Sequence, residues 1–131
     1  MTTQPINLHD ALGSFDALWS PRIVAQVNDY DVRVAKVGGE FVWHRHDDTD
    51  ELFIVLAGDL DIALREEEGE RVVHLTEGSV FTVPRGVEHQ PSSSGGASIL
   101  LLEPTGTVNT GDRTEDLPRG IRATSGEVLD L

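Results

Sequence analysis

A chain of 131 residues is long enough for one compact domain and leaves little room for a second. Its 23 Asp and Glu against 10 Lys and Arg give a net charge of −13. That charge repels phosphate backbones and anionic lipid, so no nucleic-acid or membrane partner is expected. Cysteine is absent, which removes disulfides and thiolate metal sites and leaves only histidine and carboxylate as ligands. No apolar run is long enough to span a bilayer. Met1-Thr2-Thr3-Gln4-Pro5 lacks the charged and apolar regions of an export signal, so a cytoplasmic protein is expected.

Taken in chain order, residues 1–22 read as an N-terminal arm with room for a helical turn around His9 to Trp19. From there the hydrophobic period is two rather than 3.6. Strands are predicted over Ile23–Val27, Tyr30–Val37, Glu40–His46, Glu51–Ala57, Leu60–Arg65, Arg71–Leu75, Ser79–Val83 and Ala97–Glu103. Asn28-Asp29, Gly58-Asp59, Glu66 to Glu70, Glu77-Gly78 and Pro84-Arg85-Gly86 supply the turns between them. So many short strands in so few residues must hide their edges. An all-β barrel or jelly roll over residues 23–104 is the usual way to do so. Ser92 to Gly96 reads as a loop, and 105–131 as a loosely held C-terminal tail with few apolar residues to bury.

Chemistry concentrates in two stretches. Positions two apart on a strand share a face, so His44 and His46 aim the same way, with Val42 and Glu40 on the same parity. Glu51 opens the next strand after a short loop, and His89 follows the Pro84-Arg85-Gly86 turn. Folded back together, these give three nitrogens and one oxygen for one divalent metal ion. Imidazole and carboxylate suit Fe, Mn, Ni, Co or Zn.

Gly38, His44, His46, Glu51 and Gly58, followed by Gly78, Pro84, Gly86 and His89, resemble the two signature motifs of the cupin superfamily. The resemblance covers roughly Ile23 to Glu103 and implies a cupin-type jelly-roll β-barrel (a double-stranded β-helix) with a metal in its mouth. Ser93 stands where the second motif often has Asn. The chain is further similar to small single-domain cupins labelled as similar to mannose-6-phosphate isomerase. That similarity lies in Trp19-Ser20-Pro21, Gly39 to His44, Pro84 to His89 and the Glu103-Pro104 stretch through Gly111.

The other polar groups read as structural. His74 and His9 are expected at the surface or in packing, the Asp47 to Asp50 loop as a solvated hairpin, and the Glu66 to Glu70 run as a charged hairpin tip. Parity with the ligands puts Val42, Phe53, Val55 and Phe81 on the substrate-pocket wall, makes Glu40 a candidate general base, and turns Phe41, Trp43 and Arg45 outward. The function expected is a metal-dependent enzyme on a small organic metabolite, with dioxygenase-like chemistry ahead of isomerase-like. A non-catalytic metal-binding or ligand-sensing module is the alternative. Leu52, Ile54 and Leu56 on the outer face of the predicted Glu51–Ala57 strand suggest a homodimer, since a sheet face in water should alternate apolar with polar.

Overall fold

The computed structural model describes residues 4–130. Met1 to Thr3 of the expected arm and Leu131 of the tail lie outside the described residues. Helix α1 spans Leu8–Gly13, where Asn7 caps the first turn by accepting the Asp10 N–H at 3.0 Å. The helical turn is therefore shorter than its expected span. The strands are β1 (Arg22–Val27), β2 (Tyr30–Glu40), β3 (Glu51–Gly58), β4 (Leu60–Glu66), β5 (Gly69–Leu75), β6 (Val80–Val83), β7 (Glu88–Pro104) and β8 (Glu127–Val128).

The all-β jelly roll is organised by β7. Its second half lies between β2 and β3, pairing Val34 with Leu100 and Phe53 with Leu101. Its first half instead pairs with β4, matching His89 to Leu64. One strand thus belongs to both layers, while β6 extends the β3 side and β5 the β4 side. Between the layers Val37, Phe53, Val55, Leu60, Ile62, Leu64, Val83 and Ile99 form the core. Strand β3 alternates as period two requires, with Glu51, Phe53 and Val55 buried inward and Leu52, Ile54 and Leu56 only half-buried outward.

Three expectations are corrected. The stretch Glu40–His46 is not a strand: β2 ends at Glu40, and beyond it only an isolated bridge joins His44 to His89. Ser92 to Gly96 is no loop but part of β7, with Ser92 opposite Glu40 and Ser93 opposite Gly39. The buried Ser93 hydroxyl donates to the Asp59 carbonyl at 2.6 Å, which fastens β7 to the β3–β4 turn.

Nor is 105–131 loosely held. Asn109 and Thr110 are buried, and Asn109 exchanges hydrogen bonds with Thr124 through both its backbone N–H and its side-chain oxygen. Strand β8 adds to β1 in parallel, and Leu129 packs on a small outer cluster built from α1 against Val24 and Val34. Around Asn109 the segment is held by the amide side chain and main chain, which hydrophobic patterning does not register. Among the described residues no helix is long and apolar enough to cross a membrane.

Candidate metal centre

His44, His46, Glu51 and His89 converge, each offering one ligand atom within 4.8 Å of all the others, and all four are buried. The convergence begins in the backbone. His44 lies in the irregular segment after β2, Glu51 is the first residue of β3, and His89 sits near the start of β7. The loop Asp47 to Asp50 that reverses the chain is pinned from outside by Arg45 on Asp47 at 2.8 Å and by the Arg85 N–H on Asp50 at 2.9 Å.

Two of the imidazoles have their orientation fixed. His44 Nδ1–H donates to Val42 O and His89 Nδ1–H to Val87 O, both at 2.9 Å. A carbonyl can only accept, so the proton sits on Nδ1 and the Nε2 lone pair is free to point inward. His89 Nε2 lies 3.1 Å from Glu51 Oε1, and His46 Nε2 lies 3.4 Å from Glu51 Oε2. His46 Nε2 is buried and has no hydrogen-bond partner. A buried orphan nitrogen, beside two Nδ1-protonated imidazoles and a carboxylate, is the donor set a divalent transition metal requires.

The electrostatics agree with that use. Burial, reinforced by the neighbouring His89, pushes His44 down to about 4, so its imidazole is neutral at neutral pH. Burial also works against charge on His46, but the Glu51 carboxylate outweighs it and raises the pKa. Burial likewise opposes ionisation of Glu51, yet the His46 and His89 contacts hold it well below the usual carboxylate range.

Beside the cluster lies an open-mouthed cavity. Trp19, Phe41, Phe53 and Ile99 supply apolar walls, and His44, Glu51, Glu103 and Asn109 supply the polar part. A separate polar cleft reaches His46 between Asp47, Asp48 and Asp112. Of the residues expected in the pocket wall, Phe53 lines the cavity. Val42 is buried and orients His44 through its carbonyl, Val55 is core, and Phe81 packs half-buried against that core. Glu40 is exposed at the end of β2, where it accepts from Gln90 at 3.1 Å, and it is not among the cavity-lining residues.

Phe41 requires a correction. Parity turned it outward, but it is buried, stacks on Trp19 at 4.8 Å and meets His44 edge-on at 5.3 Å. Strict alternation fails once the chain leaves regular strand after Glu40. Trp43 does face away, half-buried beneath the Arg65 guanidinium at 3.8 Å. His74 is exposed and pairs with Asp61 across β4 and β5.

Sequence reasoning missed Glu103, Arg33 and Asp31, which are all fully buried. Arg33 holds Asp31 at 2.9 Å, Glu103 at 3.2 Å and the Thr107 carbonyl at 2.8 Å. A signal existed: Asp31 and Arg33 share strand parity with the inward Ala35 and Val37. Burial and the nearby Glu51 charge raise Glu103 well above the usual carboxylate range, although Arg33 counteracts them.

Residues 31–104 match the Cupin_2 model, a cupin domain. Uncharacterized protein YdbB of Bacillus subtilis (strain 168) is 40% identical over 70 residues, 53% of this chain and 59% of that protein, so the match leaves much of that relative uncovered. A cupin-2 domain containing protein from Shewanella frigidimarina NCIMB 400 is 44% identical with a TM-score of 0.71, over 76% of this chain and 93% of its own. Hydroquinone 1,2-dioxygenase from Sphingomonas sp. TTNP3, in complex with 4-nitrophenol, shares the fold at a TM-score of 0.69 and 23% identity, over 77% of this chain and 32% of its own.

Proposed function

The chain belongs to the Cupin_2 family of cupin domains, and from that premise we propose that it is a metal-dependent enzyme acting on a small organic metabolite. The observation that supports this most is the set of four buried donors, His44, His46, Glu51 and His89, two of which also line an apolar cavity. When bound, the ion supplies Lewis-acid or redox chemistry at the inner end of that cavity. The chain does the rest. Val42 and Val87 carbonyls keep two ligand nitrogens free, Phe53 and Trp19 exclude water, and Val55 and Phe81 pack in the core that holds Phe53.

Oxygenase-like chemistry stands ahead of isomerase chemistry, including the mannose-6-phosphate isomerase type. A phosphosugar wants an Arg or Lys cluster, and no Arg or Lys lines the cavity. The dioxygenase neighbour is a likeness of fold and adds no weight on reaction. The reading includes a homodimer, because part of the outer sheet face remains apolar.

The test is metal content of protein purified without chelators, followed by oxygen uptake by the Fe(II)-loaded protein across a panel of small metabolites. One metal per chain with uptake on some panel member is the expected outcome. Silence with Fe(II) and with every other divalent metal would leave the non-catalytic module standing instead.

A further inference from the structure

Three features of the cavity remain without a role in holding a metal. Glu103 lines it, and while Glu103 Oε1 accepts from Arg33, its Oε2 is buried with no hydrogen-bond partner. An unpaired buried carboxyl oxygen is a costly arrangement that a ligand can relieve. Trp19 is the second. Its backbone is left-handed at φ 56°, unfavourable for a bulky residue, and it is held there by its N–H on Lys36 O at 2.8 Å and its indole N–H on Gly38 O at 2.9 Å. The strained residue presents its ring to the cavity in a stack with Phe41, the planes only 27° apart.

Charge is the third. The cavity has two carboxyl groups and no cationic side chain, since Arg33 is already spent on Asp31, Glu103 and Thr107. The cleft at His46 carries three aspartates against Arg45, itself paired with Asp47 and Asp112. In the metal-free protein carboxylates and phosphates are repelled on both sides. A hydroxyl is not, and because it both gives and takes a hydrogen bond it suits the Glu103 oxygen in either state of that acid.

We propose that the cavity binds a neutral, flat hydroxyaromatic molecule, with its ring against Trp19 and Phe41 and its hydroxyl on Glu103 Oε2. This deepens the functional proposal and rests on its assignment of the cavity as the substrate site. It requires no bound metal for recognition of the ring.

Calorimetric titration of the full chain with phenol, toluene, cyclohexanol and benzoate tests it, in Zn(II)-loaded and in chelator-treated protein. Zinc has no redox chemistry, so the probe is not consumed. Phenol should bind roughly tenfold tighter than toluene and cyclohexanol in both forms, and than benzoate in the chelator-treated form, where no ion draws the carboxylate; toluene lacks the hydroxyl, cyclohexanol the flat ring and benzoate the neutrality. The preference over toluene should persist without metal and collapse in Glu103→Met. Trp19→Leu should weaken phenol roughly tenfold while Trp19→Phe keeps most of the affinity. Equal binding of phenol and toluene or cyclohexanol by the unaltered protein, or of phenol and benzoate in its chelator-treated form, would overturn the proposal, as would no phenol binding in either form. Zinc stoichiometry is read separately. A chain that prefers phenol yet takes up no divalent ion would sink the metal reading and leave this one intact.

Discussion

His44 and His89 are bonded to each other through their backbones: the His44 N–H donates to the His89 carbonyl at 3.0 Å, and the His89 N–H returns to the His44 carbonyl at 2.8 Å. Their rings lie 4.3 Å apart as a result. The two ligand-bearing stretches are therefore joined by main chain, and removing an imidazole leaves that junction in place. His46→Ala should abolish stoichiometric metal binding while the metal-free variant melts within about 5 °C of metal-free wild type. His74→Ala, on exposed β5, should bind metal as wild type does. Elemental analysis with thermal unfolding checks both, and equal loss of metal in the two variants would refute the ligand assignment.

The segment carrying His44 and His46 is clamped from the tail. Arg45 N–H donates to the Asp112 carboxylate at 2.8 Å, and Gly111 sits so close that an added Cβ would lie 2.2 Å from the Arg45 carbonyl and 3.2 Å from the His44 ring. At φ 55° the residue is also in glycine territory. Gly111→Ala is expected to cost about 1–3 kcal/mol and to weaken metal binding by displacing His44. Gly95→Ala, where a Cβ meets nothing within 4 Å, is the control. Urea unfolding and metal titration of the two variants decide it. Unchanged affinity in Gly111→Ala would show that the clamp does not position the ligand.

What could be read from the sequence follows from which forces leave a linear pattern. Burial on one sheet face writes period two into residues 51–56, so β3 and its inward Glu51 and Phe53 were legible. The convergence of His44, His46, Glu51 and His89 was legible because histidine is scarce in the chain and strand parity puts His44 and His46 on one face. Phe41 was not, since parity holds only while the strand is regular. The burial of Asn109 was missed because a segment held by an amide side chain and main chain carries no hydrophobic signature. The Arg33 and Glu103 pair was missed because 70 positions separate them and only β2–β7 register brings them together.

That pair supports a stability prediction. Arg33 is fully buried between two fully buried acids, so removing its charge strands both. Arg33→Met should cost about 3–5 kcal/mol in denaturant unfolding. Burial opposes ionisation of Asp31, but hydrogen bonds from Gln26, Arg33 and Thr105 outweigh it and lower its pKa below 3.8. A carboxylate lowered by folding contributes stability that is present above its unfolded pKa and is lost as pH falls through the folded one. Asp31→Asn should therefore flatten the loss of stability below about pH 4. An acid limb as steep as in wild type would show that Asp31 is not its source.

His74 offers a pH reading free of the metal centre. Its hydrogen bond to Asp61 on the adjacent strand, with the charge of that residue, raises its pKa above 6.5. Proton NMR titration should place His74 above an ordinary histidine, and Asp61→Asn should return it to the ordinary value. Because folding raises this pKa, the small contribution of the exposed pair is present below pH 6.5 and disappears as pH climbs through the folded value. A His74 titration unmoved by Asp61→Asn would dismiss the pair.

The homodimer can be argued from the outer face strand by strand. Helix α1 already covers Val24 and Val34 on β1 and β2, and Leu56 and Leu129 pack against the same cluster. That cover does not extend to β6, where Val80 is 60% exposed. Ile54 stands opposite both Val80 and Leu100, and Leu52 opposite Leu102, so these side chains form one apolar strip across β6, β3 and β7, and all but Val80 are half-buried. β1 pairs with β2 of its own chain, so the sheet closes there without a second copy. A contiguous strip of that kind is usually buried against a symmetric copy. Light scattering at micromolar concentration should return the mass of two chains. Val80→Glu, which places a charge in the strip away from the ligands, should return one chain and keep its metal. A wild-type mass of a single chain would rule the dimer out, leaving the strip exposed to solvent.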